Sequence, residues 1–328
     1  MENKTAATLL CAGVFLLSLG ASLLFGAANI SLSDVFGSDE TVRSILISIR
    51  LPRTLVAALC GAALAAAGVL SQGLFRNSLA SPSILGTTAG ASAAASAVFY
   101  FGVQSAAWFT VPVASVAGAF ATTIFILYVA GLRRLYSLEQ LLLAGFAVNA
   151  FLSAITSLVV SLVLEDYQKF SALMYWLLGG LNARGWEHFQ SGLVPTLVGL
   201  VLAYVLAAKL NVLALGEEVA QTLSIDMRKL KLQTVATISL LVGTAVSIAG
   251  AITFVGLIVP HLTRLLVGAE HKRLLVLSTI NGMSLVMLAD LVARTARPPT
   301  ELQVGVIIAL LGAPFFFWLL CKKDSQWN

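Results

Sequence analysis

Very little in this chain of 328 residues is arranged for covalent chemistry. His188, His261 and His271 lie far apart, and no H-E-x-x-H or G-x-S-x-G stretch occurs. No run of His, Cys, Asp and Glu gathers either, so the sequence supports neither a catalytic residue nor a resident metal, and the chain does not read as an enzyme. Cys11, Cys60 and Cys321 sit in or beside apolar runs, which suits small buried hydrophobes better than a disulfide framework. His261, next to Pro260, reads as a hydrogen-bond partner for a backbone carbonyl freed by the proline, ahead of ligation. No G-x-x-x-x-G-K-[ST] stretch is present, so any use of ATP falls to another polypeptide. The charged residues that stand out suit contact rather than reaction: Glu217 and Glu218 in a polar linker, and Arg50, Arg53 and Arg294 at the ends of long apolar runs.

The elements that must position these groups belong to a membrane. Hydrophobic residues make up 59% of the chain and charged ones 11%, with a mean hydropathy of +0.94; soluble domains carry about a quarter charged residues. Apolar stretches at 7–28, 52–74, 82–102, 108–131, 141–164, 189–209, 232–252, 255–267, 274–294 and 303–321 predict about ten transmembrane helices. Helix is required because backbone groups in hydrocarbon must pair within their own segment, and no barrel-like alternation occurs. The fold class is therefore all-α, a polytopic membrane protein forming a single domain over 1–328. The stretch 255–267 is short and holds Pro260, so it reads as a broken or tilted helix. A further apolar piece, Phe170 to Leu181, sits beside charged residues and is expected at the interface.

With the N-terminus inside, thirteen Lys and Arg fall in inner segments against seven in outer ones, which the positive-inside rule favours and which puts both termini in the cytoplasm. The net charge of +5 is spread through short linkers, against nucleic acid binding. The first apolar run is long for a secretory signal core and is kept as a span. Ion-coupled carriers usually hold acids deep in their spans. Here Asp290 lies near the end of one, and the pathway reads as uncharged.

The long inner linker, about 209–232, holds Leu215-Gly216-Glu217-Glu218-Val219-Ala220-Gln221-Thr222-Leu223. Positions 215, 219, 220 and 223 share one helical face, with the two carboxylates opposite. This short amphipathic helix either rests in the lipid headgroups or meets a protein; the acidic face favours the protein. Gly61 with Gly68, and Gly86 with Gly90, suit close helix contact. Asn149 and Asn281 are either interhelical hydrogen-bonding groups or pathway lining.

Seven stretches then carry a resemblance to a known family. They begin with Arg50-Leu51-Pro52-Arg53-Thr54-Leu55, Gly61-Ala62-Ala63-Leu64-Ala65 and Gln72-Gly73-Leu74-Phe75-Arg76-Asn77-Ser78-Leu79-Ala80. They continue through Leu141-Leu142-Leu143-Ala144-Gly145, the 215–220 stretch, Phe254-Val255-Gly256-Leu257-Ile258-Val259-Pro260-His261, and Glu301-Leu302 to Gly312-Ala313-Pro314-Phe315-Phe316. In order and spacing these resemble the FecCD permeases, which serve importers of iron-siderophores, haem and vitamin B12.

The resemblance implies the permease of a type II ABC importer in the bacterial inner membrane, working by alternating access. Its partners would be a second copy, two cytoplasmic ATP-binding subunits that hold the ATP and Mg, and an external substrate-binding protein; the chain itself would hold no cofactor. An iron-siderophore or haem is the expected solute, with vitamin B12 the alternative, and an ion-coupled secondary carrier is the rival from another class. Residues Leu215, Gly216, Glu217, Glu218, Val219 and Ala220 resemble the ATPase-coupling helix, with the glutamates facing the ATPase. Arg50, Arg53 and Arg294 resemble exposed docking cations for the binding protein; the plainer alternative is that Arg50 and Arg53 merely anchor a span. Asn77, Ser78 and Leu79 resemble a cytoplasmic gate, with Tyr136 and Ser137 at a second constriction. Ser78 stands where the family usually has proline, which leaves the gate's stiffness open.

Overall fold

A computed structural model describes residues 2–26, 40–104, 106–131 and 138–321. All ten apolar stretches are helical in it: α1 (Glu2–Leu24), α2 (Leu51–Phe75), α3 (Thr87–Tyr100), α4 (Thr110–Gly131), α5 (Leu138–Leu162), α7 (Trp186–Leu213), α9 (Met227–Ala249), α10 (Val255–Val267), α11 (His271–Thr295) and α12 (Val304–Cys321). The linker helices are α6 (Tyr167–Leu177) and α8 (Glu217–Thr222), and no strand occurs among the described residues. Seven of the described helices are long and apolar enough to cross a bilayer unaided, while α10 and α12 are shorter.

α2 is the axle of the bundle. It is buried nearly throughout and packs against α7, α9, α10 and α11. Its run of Ala and Gly lets neighbouring backbones approach closely, which is how helices associate in lipid without a hydrophobic driving force. A Cβ added at Gly61 would lie on the carbonyl of Gly282 in α11, and one at Gly68 on the carbonyl of Gly256 in α10. The expected roles of these glycines hold, and Gly90 likewise meets Gly118 of α4. Gly68→Ala is expected to lower stability by about 1–3 kcal/mol, because a backbone carbonyl cannot step aside; thermal unfolding in detergent checks it.

The stretch expected as one span at 82–102 is divided. A 3-10 turn, Pro82–Leu85, precedes α3, and Gly86 between them adopts φ +70. That conformation favours glycine, and a side chain there would also strike Thr122 and Ile126 of α4. The stretch 255–267, expected as broken or tilted, is one continuous helix that carries Pro260 inside it; the chain instead leaves the helix just before it, between Ala249 and Val255, with Gly250 at φ +75 and Phe254 at φ +64. The Phe170–Leu181 piece is largely α6, which buries Leu173 and Trp176 and sets Trp176 against Phe99 of α3.

Candidate functional site

The three arginines gather at one end of the bundle, but they are not the exposed cations that were expected. Arg50, Arg53 and Arg294 are 5%, 7% and 5% exposed. Arg53 grips both oxygens of Asp290 in α11, with contacts of 2.8–3.1 Å, and reaches Glu301 before α12 at 2.9 and 3.1 Å. Arg294 donates to Ser22 and lies 3.6 Å from Asp290, while Arg50 donates to the last carbonyls of α1, Leu23 and Leu24, at 2.7 and 2.6 Å. Two internal carboxylates and open helix-end carbonyls make burial tolerable where an unpaired guanidinium could not be buried. Three cations against two acids leave the cluster one positive charge in excess.

At the opposite end α2 stops at Arg76, whose φ is +50, and the proposed gate turn follows. Asn77 organises it: its side-chain oxygen accepts from the Leu79 N–H at 2.8 Å, and its carbonyl accepts from Ala80 at 3.0 Å. These hydrogen bonds stiffen the turn around Ser78. One turn earlier, buried Gln72 bonds to the Leu257 carbonyl and to Arg264, tying α2 to α10. Tyr136 and Ser137 lie outside the described residues.

At this same end, α8 hangs between α7 and α9. The helix forms, but its orientation reverses one expectation. Glu217 is held by Lys231 of α9 at 2.9 Å, and Ala220 is buried. Leu215, Val219 and Leu223 instead point outward, at 70%, 39% and 60% exposed. Glu218 stays exposed. The exposed face of α8 is thus an apolar stripe edged by Glu218, while Glu217, still partly exposed, is bridged to Lys231.

Along the flank, α3 and α5 enclose a recess of about 570 Å³. Asn149, Ser153, Thr156 and Ser157 of α5 face Thr88 and Ser92 of α3 across it, and Ser83 closes one end. Asn149 donates its amide to the Ser83 carbonyl at 2.9 Å and lines this recess. Asn281 is an interhelical group, donating to Thr263 at 2.9 Å. A second recess, of about 520 Å³, is lined by Tyr167, Tyr175, Trp176 and Arg184. Arg184 bonds to His188 at 2.7 Å, and burial lowers its pKa to about 10, with Tyr175 opposing, so it stays charged at neutral pH. His261 packs edge-on against Phe315, and no three His, Cys, Asp or Glu converge among the described residues.

A family model described as the FecCD transport family matches residues 14–322. The chain belongs to the FecCD transport family. Among its relatives, the cobalamin import system permease BtuC of Halobacterium salinarum is 41% identical, across 89% of this chain and 77% of that one. The hemin transport system permease HmuU of Yersinia pestis is 36% identical, across 95% and 96%. A solved chain described as a proposed metal-chelate type ABC transporter, in an inward-facing conformation, superposes with a TM-score of 0.86 at 31% identity, covering 95% of this chain and 97% of that one. The protein is thus a multi-pass membrane permease subunit of an ABC importer, a transport component and not an enzyme.

As a FecCD permease it brings together Arg50, Arg53 and Arg294 at one end, and Asn77–Leu79 with α8 at the other. Sequence reasoning missed Glu301 as an arginine partner and Ser153, Thr156 and Ser157 as cavity lining. The second set left a signal: with Asn149 they recur at steps of three and four along an otherwise apolar span, one face of a helix.

Proposed function

We propose that the chain is the passive, gated conduit of an ATP-driven importer for a bulky metal chelate, in the bacterial inner membrane with both termini cytoplasmic. It would act as a pair of identical copies, each one permease domain, with two cytoplasmic ATP-binding subunits that hold ATP and Mg and a binding protein outside. The segment 209–232 is the coupling element, and α8 presents Leu215, Gly216, Glu218 and Val219 to the ATPase while Glu217 and Ala220 fix it to the bundle. Closure of the ATPases on bound nucleotide then moves α8 and, through α9 and α7, the turn Asn77–Leu79, which with Tyr136 and Ser137 opens or shuts the inner end. The arginine end faces the binding protein. Since its guanidiniums are paired, it would attract acidic lobes through one excess positive charge and not through free side chains, so docking should weaken with salt.

The observation that carries this reading is the outward stripe Leu215, Val219 and Leu223 on a membrane bundle without a P-loop. An exposed apolar stripe marks a protein contact, and a chain that cannot bind nucleotide by that route must be worked by one that does. The rival, an ion-coupled carrier, needs an internal acid free to titrate; Asp290 is committed to Arg53 and Arg294. Proteoliposomes should accumulate solute only when the ATP-binding subunit, the binding protein and ATP accompany this chain. Accumulation against a gradient by the chain alone would overturn the proposal.

A further inference from the structure

At the end of the bundle that carries α8, α1 and α7 both pack on α11, and a recess of about 340 Å³ opens between them. Thr8 of α1, Tyr204 of α7 and Glu270, Lys272, Arg273 and Val276 around the start of α11 line it. Its one acid is already engaged. Glu270 caps α11, with Oε1 accepting from the Lys272 N–H at 3.0 Å and from the Asn211 amide at 2.9 Å, and Oε2 accepting from the Arg273 N–H at 2.8 Å. The carboxylate is thereby committed to the positive end of the helix and to α7. The two cations are held on the two walls: the Lys272 ammonium stands over the Tyr204 ring, 5.4 Å from its centre, and the Arg273 guanidinium donates to the Thr8 hydroxyl at 3.2 Å. Two cations against one acid give the lining one positive charge in excess.

The depth of the recess is set by α7. Trp186 opens that helix, and Tyr204 stands about 27 Å further along it at the usual rise per residue. Both rings are exposed, and their separation is close to the hydrocarbon thickness of about 30 Å. Exposed Trp and Tyr mark the two interfaces of a bilayer, so Lys272, resting on Tyr204, sits at the level of the headgroups. Towards the bilayer centre the walls become apolar. Leu197 and Val201 continue the Tyr204 face of α7, Leu16 lies two turns beyond Thr8 on α1, and Val276 floors the lane between them; all four are exposed. A cationic recess at headgroup depth that opens on an apolar lane matches a molecule with an anionic head and hydrocarbon tails. An inorganic anion would leave the lane uncovered, and a water-soluble acidic protein could not follow it into the bilayer.

We propose that this recess is a headgroup site for an anionic phospholipid of the leaflet at the α8 end, which is the cytoplasmic leaflet in the orientation proposed above. The phosphodiester accepts from the Lys272 ammonium, the Arg273 guanidinium and the Thr8 hydroxyl, and the acyl chains lie along Val276 between Leu16 and Val201. Basic pockets between membrane helices on the cytoplasmic side bind such headgroups. A zwitterionic lipid carries no net charge to answer the excess in the recess. The bound lipid joins α1 to α7 across α11. Asn211, which bonds to both Glu270 and His271, lies in the last turn of α7 just ahead of α8, so an occupied site braces the root of that helix.

The test uses the full-length chain in detergent and in nanodiscs, and it needs neither ATP nor a transported solute, so its outcome is independent of the importer reading. Dioleoylphosphatidylglycerol is expected to raise the detergent Tm, whereas dioleoylphosphatidylcholine and inorganic phosphate are not. Native mass spectrometry should show a bound phosphatidylglycerol whose affinity falls at least tenfold in the combined Lys272→Gln and Arg273→Gln variant. Lys209→Gln, which removes an exposed cation of α7 outside the recess, should leave that affinity within twofold. In the unaltered chain, a phosphatidylglycerol with a photoreactive acyl chain should label the segments around Leu16, Val201 and Val276, and excess phosphatidylglycerol should suppress the labelling; this arm reads out even if the double variant folds poorly. Equal stabilisation by phosphatidylcholine, suppression of labelling by inorganic phosphate alone, labelling confined to other segments, or a double variant within twofold of wild type would overturn the site. Displacement of the labelled lipid by the ATP-binding subunit would also overturn it and assign the recess to a protein contact.

Discussion

Leu215→Asp combined with Leu223→Asp is expected to abolish ATP-driven uptake while the chain still inserts and folds. Both side chains are mostly exposed, so their loss removes little from the bundle itself. Central apolar anchors at a protein interface are worth at least about 2 kcal/mol each when lost. That is about thirtyfold in affinity per residue, and an introduced carboxylate adds a desolvation cost. Binding of the ATP-hydrolysing subunit, followed by pull-down from membranes, should fall by more than a hundredfold, with solute-stimulated hydrolysis lost in parallel. Glu217→Lys serves as the contrast. It sets two cations together where Lys231 now bridges to Glu217, both partly exposed, so its effect on stability should stay below about 1 kcal/mol. Unchanged ATPase binding in the double aspartate variant would remove α8 from the coupling interface.

The second large effect is expected at the opposite end. Asp290→Leu leaves buried Arg53 with the partly exposed Glu301 alone and takes the nearest acid from buried Arg294. Breaking a buried ion pair from one side costs about 3–5 kcal/mol, since a charge remains where water cannot reach it. A steep fall in detergent Tm and in membrane yield should follow. Removing both partners, with Arg53→Met added, should recover most of the loss, because an apolar pair of similar volume is tolerated where a stranded charge is not. A double variant as unstable as the single one would show that the two residues are not energetically coupled.

The helices were readable from residue order alone, because the bilayer demands that each apolar run satisfy its own backbone. The same holds for the close approaches at Gly61 and Gly68 and for the short linker helix. Local composition carried all of these. The arginine cluster was not readable in the same way. Arg50, Arg53 and Arg294 were visible as cations beside spans, but Arg53 finds Asp290 and Glu301 at separations of 237 and 248 residues. No local pattern marks such a partner, so exposure was the natural expectation and burial the outcome. The division at Gly86 was likewise hidden, since a lone glycine in an apolar run reads equally as packing or as a turn.

Two matters of direction came only from packing. The periodicity of 215–223 put leucines on one face and glutamates on the other. In the bundle the leucines stand outward, while Lys231, eight positions beyond Leu223, bridges Glu217. The polar repeat along α5 could be counted in the chain, yet it became a cavity wall only when α3 brought Thr88 and Ser92 across from it. Periodicity specifies which side chains share a face. Which neighbour that face meets depends on contacts between distant segments, whose energies no short stretch of residues encodes.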